Sequence, residues 1–282
     1  MGKAAVSVII LTYDEEANIR ACLESVRELT DEIFIVDSFS NDNTLEIARE
    51  YTEKIYQNAW VHWAYQRNWA LDNLPISHDW VFFLDADERL IPELCQEIAR
   101  TLAAIDQTVE GYLIKRNFYF LGKWLQHGGY RSDYILRLVK KNVARSIGSG
   151  AREYMTIQGK LGRMINPMIH EDKKDLSFWI DKHNKLASLE ANEASKSDKI
   201  KNSINQEGEK REIEHKVKVW LRENVWTKMP LLIRPLFYFL YRYLFQLGFL
   251  DGKAGLIYCF LHGCWYPFLI DAKLLEQRSL SD

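Results

Sequence analysis

The chain reads as an α/β protein: a mainly parallel sheet with crossover helices, continued by a helical, apolar C-terminal extension. Three observations predict this. Apolar runs of strand length at residues 6–11, 32–36 and 81–84 alternate with stretches of helical periodicity, as a parallel sheet with crossover connections requires. These runs end in Thr12, Asp37 and Asp85, polar groups at the strand ends that would line one crevice. Beyond Met229 the composition turns sharply apolar and aromatic.

The elements follow in order. Residues 6–11 form a buried strand, and 15–29 a helix whose apolar stripe is Ile19, Cys22, Leu23 and Val26. Residues 32–37 form a second strand, followed by a polar loop (Ser38, Ser40, Asn41, Asp42, Asn43) and a helix from Thr44. Val81-Phe82-Phe83-Leu84 is a strand buried on both faces. Residues 111–155 turn to strand-like pieces rich in aromatic and basic side chains. Residues 178–222 read as polar helix with a narrow buried stripe through Ile200, Ile204, Ile213, Val217 and Trp220. The expected organisation is a catalytic-type α/β domain over 1–176, a polar amphipathic helical region over 177–228 and apolar helices over 229–282.

A formal charge of −2 and a pI near 6.4 argue against a nucleic-acid binder. The four cysteines, Cys22, Cys95, Cys259 and Cys264, lack metal spacing and read as buried free thiols in a reducing compartment. Residues 6–11 are too short for the apolar core of a secretory signal, so a cytoplasmic start is expected. No Gly-x-Gly-x-x-Gly follows the first strand and no P-loop is present, which disfavours nicotinamide, flavin and ATPase chemistry.

The chemistry concentrates at Asp85-Ala86-Asp87-Glu88-Arg89, where an apolar run ends in acids. Two carboxylates with one residue between them lie on one side of an extended chain, and hard oxygen ligands select Mg2+ or Mn2+ carrying a phosphate. The competing reading is an acidic turn before a helix beginning near Pro92. Asp37 can accept from a base or ribose. Arg67, in Gln66-Arg67-Asn68, either supplies a cation to phosphate or lies on a solvated helix face. Aromatic and basic residues between 111 and 155 suit stacking on a sugar with Arg and His donating to hydroxyls, or else an ordinary aromatic β layer. Trp124, His127, Arg131 and Arg137 are the acceptor-side candidates.

The stretches 229–250 and 254–270 are joined by Asp251-Gly252-Lys253, and Arg234 and Arg242 interrupt the first, which suits helices lying in a membrane interface. Between Lys196 and Lys253 twelve Lys or Arg stand against seven Asp or Glu, an excess that favours an anionic bilayer surface. The competing readings are core helices, a dimer interface or a hairpin that crosses the bilayer.

The chain resembles family 2 glycosyltransferases of the GT-A fold, a Rossmann-like mixed sheet with flanking helices, and within them the bacterial lipopolysaccharide-core β-1,4-glucosyltransferase group. The matching segments are Ser7 through Glu16, Asp31 through Ser38, Gln66 through Leu71, and Asp79 through Arg89. Leu121-Gly122-Lys123-Trp124, His127-Gly128-Gly129 and Leu136-Arg137-Leu138 complete the set. The resemblance implies that Asp37 contacts the nucleotide base, that Asp85 faces ribose and metal, and that Asp87 is the direct metal ligand. Thr12, Tyr13, Glu15 and Arg67 join the donor site. A Val-His-Glu segment of the family reads Ala151-Arg152-Glu153 here, which makes Glu153 the base with Arg152 in place of the histidine. His170 is implied near the metal or diphosphate, and Glu171, where relatives carry an aromatic, is a rival base.

The implied activity is metal-dependent, inverting transfer of a hexose such as glucose from a UDP-sugar. The implied acceptor is a membrane-held glycolipid, lipopolysaccharide core or lipid-linked oligosaccharide, at the cytoplasmic face of the inner membrane. Transfer to polyprenyl phosphate and a non-catalytic nucleotide-sugar-binding scaffold are the alternatives.

Overall fold

The structure is a computed structural model describing residues 2–104, 108–130, 134–149, 152–197 and 229–279. The chain divides into two compact units, 1–175 and 176–282.

The first unit is built on a ten-stranded mixed sheet. Its strands are β1 (Val6–Thr12), β2 (Ile33–Asp37), β3 (Ile55–Gln57), β4 (Trp80–Asp85), β5 (Glu88–Leu90), β6 (Val109–Phe120), β7 (Lys123–Trp124), β8 (Tyr134–Lys140), β11 (Lys160–Arg163) and β12 (Met168–Glu171). Between β8 and β11 in the chain, β9 (Arg145–Ser149) and β10 (Arg152–Thr156) form a separate antiparallel hairpin. The sheet order is β3-β2-β1-β4-β8-β6-β12-β5, with β7 and β11 also on β6. Among the described residues it is accompanied by α1 (Ile19–Val26), α2 (Thr44–Arg49), α3 (Trp63–Asn73) and α4 (Pro92–Ala104). The mixed α/β sheet with a helical C-terminal segment is the class the sequence predicts.

Strands β1, β2 and β4 are parallel neighbours with side chains buried on both faces. Alternation sorts those side chains into two cores. Val8, Ile10, Ile35, Phe82 and Leu84 pack with Ile19, Leu23 and Val26 of α1 and Leu94 and Ile98 of α4. Ile9, Phe34, Val36, Val81 and Phe83 pack on the opposite face with Ala70 and Leu74. Each fully buried large side chain contributes about 1.5–3 kcal/mol relative to exposure, so the sheet's centre is rigid enough to fix its polar ends.

Helix α1 starts four residues later than its periodicity predicts. The amides of Asp14, Glu15 and Glu16 donate to Ser40 Oγ, Thr44 Oγ1 and Asp42 Oδ2, so those residues clasp the loop after β2 instead of joining the helix. The polar helix expected over 178–222 is described as α5 (Leu176–Ser197), and residues 198–228 lie outside the described residues.

In the second unit α5 packs along α8 (Tyr266–Ser279), with Tyr266 donating to Glu190 at 2.7 Å and Lys273 to Ser188 at 2.6 Å. Between them come α6 (Arg234–Leu240), a π turn at Tyr241–Phe245, and α7 (Gly252–Phe260). Asp271, 1% exposed, accepts from the Arg234 guanidinium and from the amide of Leu232. Many large apolar side chains stay exposed, among them Phe237 at 55%, Phe245 at 78% and Leu250 at 54%. Among the described residues no single helix is long and apolar enough to cross a membrane, although a pair bent by 73°, Arg234–Phe245 with Gly248–Ser279, meets that requirement by length and composition.

Candidate functional site

Register brings the polar strand ends level. Thr12 stands opposite Asp37 and Leu11 opposite Asp85, so the carboxyl ends of β1, β2 and β4 form one edge. Asp37 is fully buried and accepts from Thr12 Oγ1 at 2.9 Å, the Ser40 amide at 2.9 Å and Gln57 Nε2 at 3.3 Å. A carboxylate held by this many donors is fixed in direction, which suits recognition better than proton transfer. Thr12 is itself buried, whereas Tyr13 projects into solvent at 55% exposure. Glu15 accepts from Lys174 Nζ and from Asn18 Nδ2, both at 2.8 Å; its burial raises its pKa despite those partners.

At the end of β4, Asp85 lies between two guanidinium groups. Arg67 Nη2 donates to Oδ1 at 2.8 Å, and Arg137 donates to Oδ2. Dehydration alone would push this carboxyl up, but Arg137 and Arg67 outweigh it and hold its pKa at about 2, against an opposing push from Asp87. Glu88 completes the turn: fully buried, it accepts the Asp85 amide at 3.0 Å and pairs with Arg137 at 2.8 Å. The strand's last residue is thus locked by backbone and side chain together.

Asp87 faces across to β12, where His170 Nε2 lies 3.3 Å from its Oδ2. The other ring nitrogen, Nδ1, is 3.3 Å from Arg116 Nη1, and the edge of the ring meets Phe118. Burial lowers the His170 pKa, but Asp87 more than compensates and the net direction is upward. Glu171 follows in the same strand, so its side chain turns to the other face, where it pairs with Arg89, and its amide donates to Asp87 O at 2.9 Å.

Glu153 enters from the β9–β10 hairpin. Its Oε1 accepts from Ser146 Oγ and lies 2.8 Å from Arg67 Nε, an ion pair in which the N–H is not aimed at the oxygen. The hairpin is held to α3 by Asn68, whose amide nitrogen donates to Ser146 O at 2.8 Å and whose oxygen accepts the Ser146 amide at 2.9 Å. Gln66 ties the loops after β2 and β3 by donating to Ser38 Oγ at 2.8 Å and Asn58 O at 2.9 Å. Three consecutive residues of α3 therefore organise three parts of the site. Arg67, 5% exposed, is no part of a solvated helix face.

The acceptor-side candidates separate. Trp124 is 37% exposed on the short strand β7, and His127 is half-buried just after it, before Gly128 and Gly129 at φ +68° and +102°, values that glycine adopts without strain. Arg137 is elsewhere: 6% exposed, with its guanidinium committed to Asp85 and Glu88, it acts on the acidic turn rather than reaching outward. Strand β8 runs antiparallel to β4 with Leu138 opposite Phe82, which delivers Arg137 to the end of β4. Arg131 and the Arg152 side chain lie outside the described residues.

Arg116, Asn68 and Ser146 carry site geometry that the sequence does not mark out. The third acid of the strand end, Glu88, meets a cation, Arg137, as a buried acidic strand end requires. Among the described residues no group of three or more His, Cys, Asp and Glu side chains converges as a ready metal cage. Asp87 and His170 bring one carboxylate oxygen and one imidazole nitrogen within 3.3 Å of each other.

Residues 7–156 match the sequence profile of glycosyl transferase family 2. A lipopolysaccharide core biosynthesis glycosyltransferase of Rhizobium meliloti, LpsC, is 28% identical over 285 residues, covering 99% of this chain and 94% of that protein. An uncharacterised glycosyltransferase of Rickettsia typhi is 36% identical over 102 residues, 36% of this chain and 34% of that one. Of solved structures, Staphylococcus aureus TarS aligns with a TM-score of 0.47 at 15% identity, covering 98% of this chain and 92% of that one. Mycobacterium tuberculosis glucosyl-3-phosphoglycerate synthase, in complex with Mg2+ and UDP, aligns at 0.43 and 16% identity, covering 69% and 79%.

Proposed function

We propose that this chain, which belongs to glycosyl transferase family 2, transfers a hexose from a UDP-sugar to a membrane-held glycolipid, with inversion at the anomeric carbon. The observation that carries this reading is the convergence of Asp37, Asp85, Asp87 and Glu153 around one sheet end, with Arg67 between two of them. Asp37 and Asp85 would take the base and ribose. Asp87 and His170 would hold Mn2+ or Mg2+; two protein donors suit a hard cation that draws its remaining ligands from phosphate oxygens and water, and they do not suit a closed zinc cage. Such an ion, when bound, offsets the negative charge that builds on a departing diphosphate.

The protein's own part is orientation and proton transfer. Glu153, kept in place by Ser146 and Arg67, takes the proton from the acceptor hydroxyl as that oxygen attacks the anomeric carbon and the bond to the diphosphate breaks. Only one side-chain base is needed for a single displacement. The exposed Trp124 offers a face on which an acceptor sugar can stack.

Two features support a glycolipid acceptor: the name borne by LpsC, which concerns lipopolysaccharide core, and the exposed Phe237, Phe245 and Leu250, which suit insertion into a bilayer interface at the cytoplasmic face of the inner membrane. The test is a screen of nucleotide sugars with Mn2+, scoring thermal stabilisation first and transfer to a deacylated or intact lipopolysaccharide-core acceptor second. Stabilisation by a UDP-hexose and its transfer support the reading; preference for a non-uridine donor overturns the donor assignment.

A further inference from the structure

Arg67 touches two carboxylates that the reading above gives different tasks, Asp85 on the donor side through Nη2 and Glu153 through Nε, each at 2.8 Å. Both nitrogens lie on one edge of a single rigid plane, and that plane is buried over the Phe83 ring at 5.5 Å. A shift of one carboxylate with the guanidinium is therefore a shift relative to the other. The two ends are anchored separately. Asp85 is fixed by Arg137 and Glu88, and Glu153 by Ser146, which Asn68 returns to the same helix.

From this circuit we infer that Arg67 is a positioning residue that couples occupancy of the donor site to the placement of the base. The inference rests on the proposed function, in which Asp85 serves the donor and Glu153 the acceptor. When a donor engages Asp85, the carboxylate's hold on Nη2 changes, and the guanidinium carries that change to Glu153. The contact at Nε is a charge pair without an aligned hydrogen bond, so Glu153 can turn from Arg67 towards an incoming hydroxyl while Ser146 still donates to it. A lysine in this place would keep the charge but lose the rigid planar fork that ties the two carboxylates to one plane.

A coupling cycle with UDP and Mn2+ as the probe tests this. Binding is measured by calorimetry for wild type, Glu153→Gln, Arg67→Lys and the double variant. Glu153→Gln should change UDP affinity by at least about threefold in the wild-type background and leave it unchanged in the Arg67→Lys background, the signature of coupled sites. Equal effects in both backgrounds would overturn the inference, because a group that merely neutralises charge gives additive behaviour. Arg67→Lys should also lower kcat by roughly 10- to 100-fold with a much smaller change in donor KM. Should Arg67→Lys fail to fold, Ser146→Ala loosens Glu153 from the other end: altered UDP affinity supports the link and unaltered affinity refutes it. Absence of UDP binding to wild type would instead refute the donor reading, and the inference with it. Full turnover in Glu153→Gln alongside a coupled binding cycle would remove the base assignment and, with it, the role of Arg67 in placing a base.

Discussion

Glu32 offers the clearest link from one side chain to measurable stability. It is 5% exposed just before β2 and gathers donors from three other segments: Ser7 Oγ on β1, Lys54 Nζ before β3 at 2.9 Å, and the Ser77 amide and hydroxyl at 3.1 and 3.0 Å. Burial by itself would raise its pKa; the donors from Ser7, Lys54 and Ser77 outweigh burial and bring it from 4.5 down to about 2. A depressed folded-state pKa means the stabilisation is complete above the unfolded value and is lost as pH falls through the folded one. At about 1.4 kcal/mol per pKa unit the contribution near neutrality is about 3 kcal/mol, falling to less than half of that at about pH 3. Glu32→Gln keeps the size and one acceptor but cannot ionise. Urea unfolding of wild type and variant followed by circular dichroism should give a gap of about 3 kcal/mol at neutral pH that narrows steadily below about pH 4.5. A gap of the same size at both ends of that range would refute the assignment of the stabilisation to an ionised Glu32.

Other expectations bear on the site and on the second unit. Asp87→Ala should lower metal-dependent transfer by at least about 100-fold and abolish the stabilisation by UDP with Mn2+ while the melting curve of the free protein stays close to wild type; undiminished turnover would remove Asp87 from the metal. Gly255→Val should destabilise by at least about 1–3 kcal/mol, since a Cβ there would lie 2.3 Å from Gly248 O and 2.7 Å from Asp251 Cβ; an unchanged thermal melt would contradict the close approach of those segments. Replacing the exposed Phe237, Phe245 and Leu250 together by serine should release the protein from anionic liposomes in a flotation assay, and equal flotation would show that this face does not engage the bilayer.

How far the site could be read in the sequence depended on the range of the interactions involved. The ends of β1, β2 and β4 were legible because an apolar run buried on both faces is a local signal, and so is its abrupt ending in Thr12, Asp37 or Asp85. The partners of those acids were not. Arg137 reaches Asp85 from 52 residues away and Glu88 from 49, and Asn68 reaches Ser146 across 78, distances over which no periodicity speaks. Composition alone placed Arg137 among sugar-facing aromatics; antiparallel pairing of β8 with β4 turned it to the acidic turn instead. Helix α1 came out shorter than its apolar spacing for a similar reason, because Ser40, Asp42 and Thr44 compete for the amides of its first turn. Family 2 membership accords with the ordered motifs from Ser7 onward, which no single motif would have carried.

We propose Glu153 as the base of a transferase whose donor site is assembled around Asp85 and Asp87. Glu153→Gln removes the proton acceptor and keeps the shape, so the most direct measurement compares turnover and UDP–Mn2+ binding in that variant and in wild type. Transfer should fall by at least about 100-fold in the variant, with UDP still bound within about tenfold of the wild-type affinity. Transfer at the wild-type rate, with binding intact, would rule out Glu153 as the base.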